Sequence, residues 1–304
     1  MNLIDVTKAF ATDEQCLAYL EKMRWPAGVR CTTCGAKEVS VITRKAESKN
    51  KRGQLYQCLE PACKAQFSAT SGTIFHDTHL PLVKWFLAVA LITNAKKGMS
   101  ALQLQRDLGL GSYRTAWYLY HRIREAMKES GDVLEGIVEV DEVYIGGKQR
   151  GHKGKRKNKD VVIGLRQRGG PLRLVHATDN RMGTIHDIIS AHVSKDVTTI
   201  VTDDSPVYNF NLTKYQGKHK TINHSKGKYV NGDIYTNTVE NAFSLLRRGI
   251  IGNFHTISIK HLQRYLDEFG FRFNGRQIKD LFERTVAALT VNGKIEYKRL
   301  TAKA

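Results

Sequence analysis

The chain has 304 residues, 41% of them hydrophobic, which is enough for one large domain or two to three small ones. Its 48 Lys and Arg residues against 29 Asp and Glu give a formal charge of +19. That charge predicts a polyanionic partner, although a ribosome-associated or lipid-binding protein could be equally basic. The opening residues lack a secretory pattern, and the longest apolar run, 80–93, is too short to cross a bilayer. Five cysteines are too few for a disulfide scaffold, so we expect a cytoplasmic, nucleoid-associated protein with reduced thiols.

The first predicted domain, 1–75, combines a short helix over 12–23 with a cysteine module over 30–70. Thr12 and Gln15 have the spacing of a capping box at the start of the helix. The module contains two cysteine pairs, and paired spacing favours a tetrahedral structural zinc site over four unrelated buried thiols. So short a segment cannot form much of a core alone, so the metal would drive its folding. The predicted zinc ligands are Cys31, Cys34, Cys58 and Cys63.

The second predicted domain, 76–130, is helical. A buried helix is predicted over 80–94, and two further helices fall within 100–128. Ser100 and Ser112 stand where each of these two helices would begin, and glycines lie between them. The pattern has the shape of a helix-turn-helix, with an ordinary helical hairpin as the alternative. The second helix provides the expected DNA contacts Arg114 and Arg122.

The third predicted domain, 131–280, begins with strands. The stretches IVEVDEVYI, DVVIGLRQR and PLRLVHATD predict three strands, followed by a helix in MGTIHDIISAHV and a buried strand in TTIVTD. A polar, basic linker over 211–233 and helices over 236–249 and 258–273 complete this domain. Residues 281–304 form a predicted C-terminal extension.

A basic run, KQRGHKGKRKNK, follows the first of these strands. A charge run is most often a flexible, solvated loop. That interpretation is compatible with a function, because a mobile Gly/Lys/Arg loop beside a catalytic acid would bind phosphates. The predicted DNA contacts in this run are Lys148, Arg150, Lys153, Lys155, Arg156 and Lys157.

Three acids of the third domain have the placement of a shared site. Asp141 interrupts an apolar strand on the face opposite the neighbouring valines, and Asp203 ends the strand TTIVTD. Glu240 lies on the polar face of an amphipathic helix, with Arg247 two turns beyond it and placed to touch a phosphate. The alternative is three separate roles as turn, cap and surface residues. Carboxylates brought close together repel one another without a cation, so the set implies Mg²⁺ or Mn²⁺.

Together these motifs resemble the ISXO2-like insertion-sequence transposases of the IS1595 type. The matching stretches run in family order from about residue 30 to residue 276: CTTCG, QFSATSGTIFHDTHLPLVKWF, VEVDEVYIGGK, VTDDSPVY, NHSKGKYVNGDIYTNTVENAFSLLRRGIIGNFH and HLQRYLDEFGFRFNGR. The resemblance implies an α/β fold, with an RNase H-like catalytic domain preceded by a zinc ribbon and a helix-turn-helix. The chain departs from the family in the wide Cys58-x4-Cys63 spacing, in Phe243 for a frequent Trp, and in Arg247 for a frequent Lys.

The resemblance also implies a DDE-type transposase. Its triad would be Asp141, Asp203 and Glu240, with Asn237 as the alternative third residue because some members of the family use Asn. The zinc ribbon and helix-turn-helix would bind terminal inverted repeats, and the triad would hold two Mg²⁺ or Mn²⁺ ions for cleavage and strand transfer. Joining two DNA ends would require a homodimer or higher oligomer. The alternatives are a zinc-ribbon, helix-turn-helix DNA-binding protein without catalysis (a regulator or decayed transposase) and an RNase H-like nuclease that only hydrolyses.

Overall fold

The computed structural model describes residues 1–42, 54–128, 131, 133–146, 159–208, 213–222 and 232–302. The chain divides into two compact units. Unit 1 comprises Met1–Met127 and Ile278–Ala304, and unit 2 comprises Lys128–Gln277. The predicted C-terminal extension therefore belongs to the same unit as the N-terminal region. Among the described residues, none of the helices combines the length and apolar character that a membrane span requires.

Helices and strands follow one another through both units. In chain order the helices are α1 (Leu3–Ala9), α2 (Asp13–Arg24), α3 (Leu82–Asn94), α4 (Ala101–Asp107), α5 (Tyr113–Ala126), α6 (Met182–His192), α7 (Asn237–Gly249), α8 (Leu262–Gly275), α9 (Leu281–Val291) and α10 (Tyr297–Thr301). The strands are β1 (Val39–Ile42), β2 (Leu55–Cys58), β3 (Gln66–Phe67), β4 (Ile137–Ile145), β5 (Asp160–Gln167), β6 (Leu172–Ala177), β7 (Thr199–Asp203) and β8 (His219–Ile222).

The helical core of unit 1 joins the two ends of the chain. Helix α9 packs against α2, α3 and α5. The ring of Phe282 on α9 lies 5.9 Å, centroid to centroid, from both Phe10 and Phe86, and the latter two rings are 4.7 Å apart. All three are almost completely buried, so α9 contributes to a core that also contains α3 and the segment between α1 and α2.

The caps at the helix starts agree with the sequence patterns. Thr12 and Gln15 form the predicted reciprocal capping box of α2. Ser100 and Ser112 cap α4 and α5 through their side-chain oxygens, and Gly109 in the turn between these helices has φ +55°. The two helices and tight turn of the predicted pattern are therefore present.

Unit 1 also contains a small antiparallel sheet in the order β1-β2-β3. Its core is aromatic: the rings of Tyr56 and Phe67 are stacked at 5.6 Å, and Trp25 lies 5.9 Å from each. Cys31 and Cys58 are buried beside these rings. The sheet has few other buried side chains, so the thiols form a large part of its interior.

Unit 2 is organised around a mixed five-stranded sheet in the order β6-β5-β4-β7-β8. The first three strands are antiparallel, whereas β7 runs parallel to β4 and β8 runs parallel to β7. Helix α6 covers one face of the sheet, and helices α7 and α8 cover the other. Strand β8 lies within 211–233, so the prediction of a linker is wrong there: its four residues are held by pairing with β7. After its last turn, α7 continues into a π-helical segment, Ile250–Phe254.

Candidate active site and metal centre

Four thiols meet at the edge of the small sheet in unit 1. The Sγ atoms of Cys31, Cys34, Cys58 and Cys63 all lie within 4.8 Å of one another. Two of these separations are short, with 3.7 Å between Cys31 and Cys63 and 3.6 Å between Cys34 and Cys58. In the sequence the cysteines form two pairs, Cys31/Cys34 and Cys58/Cys63, and each pair lies on a tight turn. In the wider second pair, the N–H groups of Cys63 and Lys64 both donate to the Glu60 carbonyl, which brings Cys63 back towards Cys58.

The electrostatics of the four thiols favour a cation among them. Burial, reinforced by contacts with the other three thiols, raises the pKa of Cys58 to about 12. At Cys31, burial is outweighed by the backbone N–H groups of Cys34 and Thr33 and by neighbouring thiols, and the pKa falls to about 6. Only a bound cation would keep all four sulfurs ionised at neutral pH. A set of four thiolates at this spacing suits tetrahedral Zn²⁺, as the sequence predicts.

Asp141 and Asp203 occupy corresponding positions on neighbouring parallel strands of unit 2. The β4–β7 ladder pairs Glu139 with Val201, and the two aspartates each stand two residues further along. Because side chains of paired parallel strands alternate in step, both aspartates point to the same face of the sheet. The Asp141 carboxylate accepts the N–H of Glu142 at 2.8 Å, and that of Asp203 accepts the N–H of Ser205 at 3.1 Å.

The face that carries Asp141 is the one covered by α7. Val138 and Val140 pack on the α6 side of the sheet, whereas Val143 and Ile145 pack on the α7 side. Alternation along β4 therefore directs Asp141 towards α7. This confirms the predicted opposition between the valines and the aspartate.

Helix α7 places Glu240 on its exposed side. Val239, Phe243 and Leu246 are buried against the sheet, as the amphipathic pattern predicts. The Glu240 carboxylate accepts the hydroxyl of Thr236 at 2.8 Å. Asn237, the alternative third residue, is exposed at the first position of the same helix, and Arg247 is exposed two turns beyond Glu240.

The three acids influence one another electrostatically. Burial raises the pKa of Asp141 to about 7, and the charges of Glu142, Asp203 and Glu240 act in the same direction, against the N–H of Glu142. The oxygens of the triad are nevertheless spread more widely than the thiols. In the described part of the chain, only the four cysteines bring three or more His, Cys, Asp or Glu ligand atoms within 4.8 Å of one another.

Two further acids of β4 have partners that the sequence patterns do not reveal. Glu142, on the α6 side of the sheet, accepts the hydroxyl of the buried Tyr208. Glu139 is fully buried on the α7 side, where it accepts hydrogen bonds from Arg168 and from the first turn of α7. Alternation along the strand indicates the face that each acid occupies. It gives no indication of partners that lie tens of residues away in the chain.

The predicted DNA contacts differ in their surroundings. Arg114 is exposed, with its guanidinium 4.1 Å from the ring centre of Tyr297. Arg122 is 5% exposed, and its guanidinium donates to the carbonyls of Ile74 and His76. It also lies over the ring of Trp85, so we correct its predicted role: Arg122 is an internal residue of unit 1. The predicted contacts in the basic run, Lys148, Arg150, Lys153, Lys155, Arg156 and Lys157, lie outside the described residues.

Comparison with known proteins places both units in one family. Residues 11–66 match the transposase zinc-ribbon domain of the IS1595 type, and residues 133–274 match the ISXO2-like transposase domain. A protein of Halobacterium salinarum, described as an uncharacterized protein in transposable element ISH50, is 28% identical over 281 residues, covering 87% of this chain and 92% of its own length. No solved structure matches the chain. The chain belongs to the ISXO2-like, IS1595-type family of insertion-sequence transposases.

Proposed function

We propose that the protein catalyses metal-dependent cleavage and strand transfer of DNA at the ends of an insertion sequence. The observation that supports this most strongly is the placement of Asp141 and Asp203 at corresponding positions on two parallel strands. Glu240 stands on the helix that covers the same face of the sheet, and its charge contributes to the raised pKa of Asp141. Acids brought together from segments so far apart in sequence are expected at a catalytic site.

We further propose that unit 2 has an RNase H-like fold. The strand order β6-β5-β4-β7-β8, with three antiparallel strands followed by two parallel ones, supports this assignment. The first acid lies on the central strand, the second at the end of the adjacent strand, and the third on a later helix. This is the order that the family resemblance implies for a DDE triad.

The donors of the triad fit Mg²⁺ or Mn²⁺. All are carboxylate oxygens, which these hard cations prefer. Burial is the main cause of the raised pKa of Asp141, and the neighbouring negative charges that add to it are ones that a cation would offset. Asp141, Asp203 and Glu240 would hold the ions, with Asn237 as the alternative to Glu240. When bound, two such ions would neutralise charge at the reacting phosphodiester and lower the pKa of the attacking water.

The remaining residues of the chain would bind and orient DNA. Arg247 is exposed on the same side of α7 as Glu240 and could contact a phosphate of the reacting strand. In unit 1 we propose that the α4–α5 pair acts as a helix-turn-helix and, with the zinc ribbon, recognises the terminal repeats; Arg114 is its exposed candidate contact. Because two ends must be joined, we propose a homodimer or higher oligomer as the active form.

The reaction would have two steps at the same site. Water first attacks a phosphodiester at the end of the element, forming one P–O bond, breaking another and releasing a 3′-OH. The freed 3′-OH then attacks a target phosphodiester, and the leaving group is the 3′ oxygen of the target strand. Neither step requires a covalent bond to the protein. A nuclease that only hydrolyses would stop after the first step, and a DNA-binding protein without catalysis would perform neither.

A strand-transfer assay separates these possibilities. The protein would be mixed with a labelled duplex ending in the inverted repeat of its own element, a target plasmid and Mg²⁺. Asp203→Ala removes the proposed ligand, whereas Asp204→Ala removes the exposed neighbouring acid and serves as the matched control. Labelled plasmid with the wild type and Asp204→Ala, but not with Asp203→Ala, supports transposition. Cleavage without joining favours the nuclease, and binding without any reaction favours the non-catalytic alternative.

A further inference from the structure

Strand β4 contains three acids within four residues, Glu139, Asp141 and Glu142, and their surroundings differ sharply. Asp141 faces the proposed metal site, and Glu142 bonds to Tyr208 on the other face. Glu139 is fully buried, and both of its carboxylate oxygens accept hydrogen bonds from the protein. A carboxylate occupied in this way has little capacity left for a cation. Its role must therefore lie in the contacts that it makes.

One oxygen of Glu139 holds the first turn of α7. Its Oε2 accepts the N–H of Thr238 at 2.9 Å, the hydroxyl of Thr238 at 2.7 Å and the N–H of Val239 at 3.1 Å. The residue before the helix, Thr236, provides no side-chain cap. Glu139 therefore supplies from a neighbouring strand the acceptor that an N-cap residue normally supplies, and its negative charge also suits the helix dipole.

The other oxygen of Glu139 is bound by Arg168, which fixes the segment that leads into α7. Arg168 Nε donates to Glu139 Oε1 at 2.8 Å, and the pair is nearly buried, with side-chain exposures of 15% and 0%. The remaining guanidinium nitrogens donate to the carbonyls of Asp233 at 2.6 Å and Tyr235 at 2.9 Å. The guanidinium also stacks over the Tyr235 ring at 3.5 Å. A single arginine thus connects β4, β5 and the entry to α7 through its planar fork.

The position of Glu139 in the sequence relates its hydrogen bonds to the proposed triad. Glu139 stands two residues before Asp141 on β4, and it binds the helix one and two residues before Glu240. The segments that carry the first and third acids of the triad are therefore joined directly by one buried carboxylate. We infer that Glu139, with Arg168, is a positioning residue that sets the separation of Asp141 and Glu240 and so the affinity of the metal site.

This inference rests on the proposed function, and a metal-binding measurement tests it without requiring turnover. Mn²⁺ binding would be followed by the loss of the free-ion electron paramagnetic resonance signal, in protein that retains its zinc. Glu139→Gln should weaken Mn²⁺ binding about tenfold or more, as removal of outer-sphere support commonly does. Thr238→Val removes one donor to Glu139 and keeps its other hydrogen bonds, so it should have a smaller effect in the same direction.

A matched control exists in the same unit. Glu268 and Arg272 form a second buried ion pair, with Nε–Oε1 3.2 Å and side-chain exposures of 1% and 6%, on helix α8. Glu268→Gln also removes a buried charge, and we expect it to leave Mn²⁺ affinity unchanged. In hydrogen exchange, Glu139→Gln should reduce amide protection over residues 233–241, whereas Glu268→Gln should not.

The outcomes separate a failure of the inference from a failure of the proposed function. Equal Mn²⁺ affinities for the wild type, Glu139→Gln and Thr238→Val, with unchanged protection over 233–241, would overturn the positioning role. If Glu139→Gln and Glu268→Gln weaken binding equally, the effect is general destabilisation, and the inference again fails. If the wild type binds no Mn²⁺ beyond that bound by Asp141→Asn, it is the proposed metal-dependent function that fails.

Discussion

The ring of Phe243 lies directly over Gly164, the residue of β5 that pairs with Asp141. A methyl group on Gly164 would come within 2.6 Å of two ring carbons of Phe243 and 2.9 Å of a methyl carbon of Val239. Both contacts belong to α7, and Phe243 is three residues beyond Glu240. The absence of a side chain at Gly164 therefore allows the helix bearing the third acid to approach the strands that bear the first two.

We predict that Gly164→Ala pushes α7 away from the sheet. It should destabilise unit 2 by about 1–3 kcal/mol, the usual cost of overpacking, and reduce cleavage more than DNA binding. Thermal denaturation and a cleavage assay would measure the two effects. Gly270→Ala is the matched control, because a methyl group there would lie 4.0 Å from the carbonyl oxygen of Leu172, and that substitution should be neutral or stabilising. Recovery of cleavage in Gly164→Ala/Phe243→Leu would support the steric explanation, and full activity of Gly164→Ala alone would contradict it.

A second prediction concerns the four thiols. Cys34→Ser should remove bound zinc and unfold the β1–β3 sheet, since the thiols form much of its interior. Metal content by mass spectrometry and hydrogen exchange over residues 25–42 and 54–67 would measure both effects. The control is Cys16→Ala, which changes a buried cysteine of α2 outside the cluster and should retain one zinc per chain. Retention of zinc and of exchange protection in Cys34→Ser would contradict the assignment.

A third prediction concerns pH. The pKa of Asp141 is about 7 in the folded protein, chiefly because of burial, against an ordinary value of 3.8. A carboxyl group with a raised folded-state pKa contributes stability below its unfolded pKa and loses that contribution as pH rises through the folded pKa. In Mg²⁺-free buffer, the Tm of the wild type should therefore fall by several °C relative to Asp141→Asn between pH 4 and pH 8.

Addition of Mg²⁺ at pH 8 should reverse that difference. Ligand binding to the folded state stabilises it, so Mg²⁺ should raise the Tm of the wild type and have little effect on Asp141→Asn. Chelators must be absent from these measurements because they would also remove zinc. Parallel Tm curves for the two proteins across this pH range would show that Asp141 does not titrate as described.

A fourth prediction concerns Arg122 and Arg247, both of which the sequence predicts to contact DNA. Arg122→Ala should destabilise unit 1, because it leaves two buried or partly buried carbonyls without their donor, at a cost of about 1–3 kcal/mol each. Arg247→Ala should leave the Tm unchanged and weaken DNA binding, reducing the slope of log K against log salt by about 1. Fluorescence anisotropy across a salt series and thermal denaturation measure the two properties. A change in the salt slope for Arg122→Ala at a temperature where it is folded would restore its predicted role as a DNA contact.

Local patterns predicted the helices well because their signals lie within a few residues. The caps at Thr12, Ser100 and Ser112 and the apolar spacing of α7 were sufficient to locate those elements. The acids Asp141 and Asp203 could also be proposed from sequence, since each stands out against an apolar strand. Strand β8 could not be, because HKTI is short and polar and is a strand only through its pairing with β7.

Long-range partners account for most of what the patterns missed. Arg122 lies between apolar residues of α5 and resembles a surface arginine, but its guanidinium is bound by carbonyls almost fifty residues earlier in the chain. Glu139 resembles a second candidate ligand beside Asp141 until its bonds to α7, about a hundred residues away, are known. In both cases the residue type and position were evident, and the partner that decides its role was not.

The contribution of α9 to unit 1 has a consequence for how the protein is synthesised. Phe282 packs on Phe10 and Phe86, so the core of unit 1 lacks the Phe282 side chain until the ribosome has translated residue 282. Unit 2, residues 128–277, is complete before then and can fold first, even though it is made later than most of unit 1. A nascent or prematurely terminated chain would thus expose the apolar surfaces of α2 and α3. The core of unit 1 would therefore be completed only after all of unit 2 has been translated, although most of unit 1 is made first.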